Sequence, residues 1–414
     1  MANTLKFGNG EWYGKKDTII AYNDENSNYK PLPFDFSRAS KATVINKDGL
    51  IEEVGSGQPR IDYKDNTKGA LKLEPSRSNL VTYSEDFSQS VWSTWQSTKT
   101  LSNNINPKGT NGYYEISHTG SSSDNPNTRL TNVSLNGSYT LSFFIKINQS
   151  RYISLSIEDY NGDRARVYFD TINKTFTTIT NVGSPITNTS YSEFSNGWIR
   201  ISLSVNLLNA VYDEVGIGIY NPSGSFPSAS GEVISVFGAQ LEVGSNATSY
   251  IPTSGSAVTR VADACNNGAN EQVINSTEGV LYWEISFLEN SSAATNQLSL
   301  SDGSSNNRAM IYPFSNTQLG LRFNVNSSQL VSQTITVSSL SVNSKIAVRW
   351  GNGNYSLYQN GLEVYTQSIA STPLGLSKLN FSSVTETSPF FGNVKDVRVY
   401  NTALTDQELK SLTQ

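Results

Sequence analysis

The 414-residue sequence holds a single cysteine, Cys265, and a single histidine, His118. A lone thiol excludes an intrachain disulfide and any zinc site built on several cysteines, so stability must come from packing, strand ladders or assembly. A lone imidazole leaves one centre for a Ser-His-Asp triad. It falls in the loop-like stretch Ser117-His-Thr-Gly-Ser-Ser122, where an exposed histidine without a special role is expected, and no Gly-x-Ser-x-Gly elbow accompanies it.

Charge is also scarce. Only 16% of residues are charged, 30 Lys and Arg against 35 Asp and Glu, and no basic cluster interrupts the polar background. Nucleic acid, which demands counter-charge along a groove, is excluded as a partner on these grounds. No apolar run approaches the roughly 20 residues of a membrane span, so no membrane insertion is expected. Met1 to Asp17 lacks the apolar region of a secretory signal, so folding in the cytoplasm is the expectation. A fixed-period repeat of the β-helix or propeller kind is missing too.

What remains is an Asn, Ser, Thr and Gly background carrying 36% apolar residues. Period-2 alternation recurs through it, as in Tyr139-Thr-Leu-Ser-Phe-Phe-Ile-Lys-Ile147, Arg151-Tyr-Ile-Ser-Leu-Ser-Ile157 and Trp198-Ile-Arg-Ile-Ser-Leu-Ser-Val205. One apolar and one hydroxyl-rich face per strand suits antiparallel sheets. Lys47-Asp48-Gly49, Tyr160-Asn161-Gly162-Asp163 and Gln359-Asn360-Gly361 supply the positive φ of tight hairpins. Thr405-Asp-Gln-Glu408 has capping-box spacing, and Leu404, Leu409 and Leu412 form the stripe of one short terminal helix. The expected class is all-β. Residues 1–80 form a small β-rich region broken by Pro31, Pro33, Pro59 and Pro75, residues 81–255 a first sandwich, and residues 265–414 a second, with Ile251-Pro-Thr-Ser-Gly-Ser256 as linker.

Phe36-Ser-Arg-Ala-Ser40, Asn46-Lys-Asp-Gly-Leu-Ile-Glu52, Gln58-Pro-Arg-Ile-Asp-Tyr63 and Leu73-Glu-Pro-Ser-Arg-Ser-Asn-Leu80 resemble the N-terminal region of phage fibre and spike proteins. Gly238-Ala-Gln-Leu-Glu-Val-Gly244, Ala247-Thr-Ser-Tyr-Ile-Pro-Thr253 and Val258-Thr-Arg-Val-Ala-Asp263 resemble the closing signature of the carbohydrate-binding-type jelly roll in the same proteins. Val280-Leu-Tyr-Trp-Glu-Ile285, Ile346-Ala-Val-Arg-Trp350, Ser356-Leu-Tyr-Gln-Asn-Gly361 and Phe391-Gly-Asn-Val-Lys-Asp-Val-Arg-Val-Tyr400 are similar to a laminin-G or concanavalin-A-like domain. The resemblance implies a head- or tail-fibre protein of a virion, a homotrimer that docks on other virion proteins through residues 1–80 and meets host-surface glycans with its sandwiches. It also leaves room for a structural calcium ion in the C-terminal domain.

Sugar rings offer C–H faces that stack on aromatic side chains, with polar groups holding the hydroxyls. Trp92, Trp95, Tyr113 and Tyr114 near the start of the jelly roll, with Tyr160 and Arg164 at a hairpin tip, are the candidates of that type; Trp198, Trp283 and Trp350 sit in regular strands and are expected in the core. Asp159, Asn161, Asp163 and Asp170 match calcium-loop positions, but Arg164 stands where the loop needs Gly. A non-enzymatic binding protein is the expectation, with no catalytic residue assigned. Two alternatives are a purely structural virion role, with Ser/Thr/Asn-rich edges pairing between copies, and glycan cleavage by two of Glu158, Asp159, Glu242 and Glu284.

Overall fold

The computed structural model describes residues 4–23, 30–119, 126–146, 150–159, 162–183, 185–207, 213–222, 231–288 and 296–414. Their regular secondary structure is nearly all strand, with one short α-helix at the C-terminal end. No helix among the described residues is long and apolar enough to cross a membrane.

The chain divides into two compact units, and the second interrupts the first. Met1–Lys47, Glu53–Ser76 and Val261–Gln414 make one, and Asp48–Glu52 with Arg77–Arg260 make the other. The segment 1–80 is therefore not a separate region. Strand Leu5–Gly8 pairs antiparallel with Gly392–Tyr400, from Leu5 opposite Val399 to Gly8 opposite Asp396. Gly8 is required there: its φ is +94°, and a Cβ would stand 2.4 Å from the Lys395 carbonyl oxygen. Ala70–Leu73 pairs with the other end of Gly392–Tyr400, and Lys30–Ser37 pairs with Ala264–Asn266.

In this first unit the large sheet runs Ala264–Asn266, Lys30–Ser37, Thr18–Asn23, Leu5–Gly8, Gly392–Tyr400, Gly279–Phe287, Ser344–Trp350, Asn354–Gln359, Leu362–Ser368. The second sheet runs Ser328–Thr336, Gln318–Val325, Arg308–Ser315, Leu298–Ser301, Lys378–Asn380. Alternation puts Leu281, Trp283 and Ile285 into one core with Leu5, Phe7, Ile19, Phe34, Phe36, Leu71 and Leu73, so residues far apart in the chain share one hydrophobic interior. The opposite face of the same strands is buried locally by helix Asp406–Thr413, where Tyr282, Ala347, Tyr358 and Tyr400 meet Leu404 and Leu409. The helix starts on the expected capping box, with the Glu408 amide donating to Thr405 Oγ1 at 3.3 Å and the Thr405 amide to Glu408 Oε2 at 2.9 Å.

Four of the quoted motifs converge in this unit as one buried ion network. Arg38 donates to Asp263 at 3.0 Å, Arg60 to Glu74 at 2.6 Å and also to Asp263. The Glu74 amide adds a bond to Asp263 at 2.9 Å. Burial opposes the Arg60 charge, but Asp263 and Glu74 beside it raise its pKa above the ordinary value.

The second unit is a sandwich of two six-stranded sheets. The front sheet runs Trp92–Trp95, Asn127–Val133, Asp213–Ile219, Tyr152–Asp159, Arg164–Asp170, Thr175–Val182; the back sheet runs Ser97–Ile105, Asn111–His118, Val233–Val243, Gly137–Lys146, Trp198–Leu207, Ile186–Glu193. Leu155, Val167, Ile217, Leu141, Ile201 and Val236 are among the residues that fill the space between. His118, expected in an exposed loop, instead ends a back-sheet strand and is buried. The stretch 251–256 is not a linker either: Thr253 Oγ1 donates to the Val81 carbonyl at 2.6 Å, and the Thr253 amide donates to Ser84 Oγ at 2.8 Å.

Candidate functional site

The two sheets of the inserted sandwich treat their outer faces differently. On the back sheet, Phe144, Trp198 and Phe237 point away from the core yet are fully buried. Tyr250 packs edge-on against Phe144 at 5.6 Å and lies 6.0 Å from Phe237, so the returning chain covers this face. The cover is fastened by a polar clip within the jelly-roll signature. Glu242 accepts from Gln240 Nε2 at 2.6 Å, from the Thr248 amide at 2.9 Å and from Thr248 Oγ1 at 2.6 Å; Gln240 Oε1 accepts from the Ile251 amide at 2.7 Å. Among the described residues, no such cover lies on the outer face of the front sheet.

Parity decides which side chains stand on that face. Ile153, Leu155 and Ile157 enter the core, so Tyr152, Ser154, Ser156 and Glu158 face outward; by the same rule Arg164, Arg166 and Tyr168 face outward from the neighbouring strand. Register then aligns them. Trp95 lies opposite Asn127, Asn127 opposite Gly218, Gly218 opposite Ser154, and Ser154 opposite Tyr168, one row across five strands. Trp95 and Tyr168 are thus four strand spacings apart, about 19 Å at about 4.8 Å each. Between them Gly216, Gly218, Ser154 and Ser156 make a floor of small residues.

At one end of the floor stands a tyrosine cluster. Tyr168 stacks on Tyr220 at 4.9 Å with an interplanar angle of 19°, and meets Tyr152 edge-on at 5.3 Å. All three rings are half-buried. Arg151 lies over Tyr152 at 4.8 Å and pairs with Asp170 at 3.0 Å. Burial raises the Asp170 pKa, but donors from Arg151, the Asn173 and Ile172 amides and the Asn173 side chain outweigh it and bring it down to about 2. Because that folded value lies below the ordinary carboxylate value, Asp170 stabilises the sandwich above about pH 4, and the contribution is lost as pH falls from there through about 2. Acid unfolding of Asp170→Asn, followed by circular dichroism, should show lower stability than wild type at neutral pH and convergence with it near pH 2.

At the other end, Arg166 pairs with Glu158 at 2.9 Å and Arg129 with Glu214 at 2.8 Å, while Glu158 and Glu214 lie opposite each other. Burial raises the Glu214 pKa, Arg129 pulls it down, and Glu158 pushes it up again. The arrangement suits a sugar chain: rings for C–H faces, and half-exposed guanidinium and carboxylate groups for hydroxyls.

Of the six residues chosen from sequence, Trp95, 46% exposed, and exposed Arg164 stand on this face. Trp92, Tyr113 and Tyr114 do not present their rings: Trp92 packs on Phe87 at 4.7 Å, Tyr114 on Phe87 at 5.7 Å, and Tyr113 edge-on against Trp198 at 5.1 Å. Tyr160 lies outside the described residues, as do Asn161 and the Asp159 side chain. Tyr152, Tyr168, Arg129 and Arg166 were missed, although the alternation of their own strands marked the outward positions, and so was Tyr220, just past the end of strand Asp213–Ile219. Trp198, Trp283 and Trp350 are buried. Among the described residues, no three His, Cys, Asp or Glu side chains are grouped so as to hold a metal ion.

Residues 287–410 match the profile of the concanavalin A-like lectin/glucanases superfamily. The C-terminal domain is laminin-G-like. No curated protein matches the sequence. Among solved structures, the chain is similar to the CBM40 of the Ruminococcus gnavus IT-sialidase, at 16% identity over 36% of this chain and 94% of that one, with a TM-score of 0.30. It is also similar to domains LG4-5 of the mouse laminin alpha1 chain, at 11% identity over 69% of this chain and 89% of that one, TM-score 0.24. A Trypanosoma rangeli sialidase matches at 11% identity over 95% of this chain and 81% of that one, TM-score 0.28. A sialidase stands among these similar structures, against the expectation of a non-enzymatic chain.

Proposed function

We propose that the chain is a glycan-binding protein whose front sheet holds an oligosaccharide between Trp95 and the Tyr152, Tyr168, Tyr220 cluster. The observation that carries this reading is the contrast of faces: the back sheet is covered by the chain's own return, while the front sheet leaves three half-buried tyrosines over a Gly and Ser floor. A lectin-like second domain in the same chain supports it.

The proposal extends to a place in a bacteriophage virion, as a head or tail fibre made in the host cytoplasm that adsorbs to host-surface glycans. Support comes from the fibre-like motifs between residues 36 and 263. A homotrimer docked on other virion proteins through the N-terminal region belongs to the same proposal. Several weak sites on one particle raise avidity through effective concentration without any new contact.

A glycan array probed with the intact chain and with Tyr168→Ala tests the first part. Binding to a defined set of oligosaccharides, lost in the variant, is expected. An array without hits, or the same hits in both proteins, overturns it.

A further inference from the structure

A different chemistry stands on the outer face of the second sheet of the first unit, and it does not depend on the front-sheet reading. Leu300, Ala309, Ile311, Leu321 and Phe323 turn into the core. Parity therefore turns Ser301, Arg308, Met310, Tyr312, Arg322 and Asn324 the other way. Register builds a row across four strands, in which exposed Lys378 lies opposite Ser301, Ser301 opposite Arg308, and Arg308 opposite Asn324. Arg322, opposite Met310 in the next outward row, is diagonal to Arg308 and within reach of its long side chain.

The two guanidinium groups are placed together without a counter-charge. Arg322 stands over the Tyr312 ring at 5.8 Å, and that ring lies across Gly320, where a Cβ would stand 2.3 Å from it. Arg308 reaches Asn324 Oδ1 only at 3.5 Å. Both arginines are half-buried, and among the described residues no carboxylate pairs with either. Arg38, Arg60, Arg349 and Arg398 of the same unit each have such a partner. Burial lowers the Arg308 pKa, and the charge of Arg322 beside it lowers it further. Like charges held this close repel, and an anion between them offsets the repulsion.

The number of charges selects the ligand. A carboxylate or a sulfate ester carries a single negative charge, which leaves one of the two guanidinium groups uncompensated. A phosphomonoester carries about −1.5 to −2 at pH 7 and three acceptor oxygens, enough for two planar forks. Asp302, which follows Ser301, is occupied by its own turn: it accepts from the Ser304 amide at 2.8 Å, Ser304 Oγ at 2.7 Å and Asn307 Nδ2 at 3.0 Å.

We infer that Arg308 and Arg322 together bind a phosphomonoester, carried either by a small solute or by a lipid headgroup. The test on the intact chain has two arms, phosphorus NMR line broadening of glycerol 3-phosphate and co-sedimentation with phosphatidylcholine vesicles that contain phosphatidic acid. Broadening marks the solute as a ligand, and sedimentation marks the headgroup. Arg308→Gln and Arg322→Gln should each weaken binding about tenfold with an unchanged circular dichroism spectrum, and Arg164→Ala, in the other unit, should keep it. The charged and titratable groups around the site are Arg308, Arg322, Lys378, Tyr312 and Asp302, none of them a histidine. The ester itself becomes a monoanion below its second pKa of about 6, so wild type should bind about tenfold more weakly at pH 5 than at pH 7.5, a readout that needs no variant. No binding in either arm, equal binding by wild type and both glutamine variants, equal binding at the two pH values, or equal competition by methyl sulfate would overturn the inference.

Discussion

A fragment of residues 265–414 should fail to fold, whereas residues 1–76 joined to 261–414 by a short linker should fold without the inserted sandwich. The fragment lacks Leu5, Phe7, Ile19, Phe34, Phe36, Leu71 and Leu73, all at most 2% exposed in the intact unit. Burying a large apolar side chain stabilises by roughly 1.5–3 kcal/mol, so these seven together contribute about 10–20 kcal/mol. That matches or exceeds the whole stability of an ordinary domain, roughly 5–15 kcal/mol. Removing strand Leu5–Gly8 also exposes the backbone edge of Gly392–Tyr400, a template for aggregation. The two proteins are separated by their amide NMR dispersion. A well-dispersed spectrum from 265–414 would show that the N-terminal strands only decorate that unit.

Asp263→Ala should destabilise the same unit by about 3–5 kcal/mol, the usual loss when one partner of a buried ion network is removed. Asp263 is the carboxylate that Arg38 and Arg60 share, and all three side chains are fully buried. Its loss leaves two guanidinium groups in a low-dielectric interior with only Glu74, on Arg60, to compensate them. Lys41→Ala, which removes a solvent-exposed pair with Glu53, should cost less than about 1 kcal/mol. Denaturant unfolding of both variants beside wild type measures the difference. Equal midpoints for the two variants would mean that the buried network contributes no more than a surface pair.

The strand content and the terminal helix were legible because both are local signals, an alternation of period 2 and a capping box. The partners of the strands were not. Nothing in the neighbourhood of Leu5 tells that it lies opposite Val399, and nothing around Arg38 tells that its carboxylate is Asp263, 225 residues on. The motifs that hold Arg38, Arg60, Glu74 and Asp263 were visible as strings, but their shared role as one ion network appears only once the chain is folded. The site was half legible. Loop tips and tryptophans drew the eye, and that selected Trp92, Tyr113 and Tyr114, whose rings are covered. Tyr152 and Tyr168 occupy outward positions of strands whose alternation was plain. What sequence could not supply was which of two outward faces stays uncovered, because the cover is Tyr250 and its neighbours arriving from a distant segment.

The most direct test of the central claim is calorimetric titration of the intact chain and of Tyr168→Ala with a single array-selected oligosaccharide. The account predicts an affinity loss of about tenfold or more, about 1.4 kcal/mol. Equal affinities in the two proteins would contradict it.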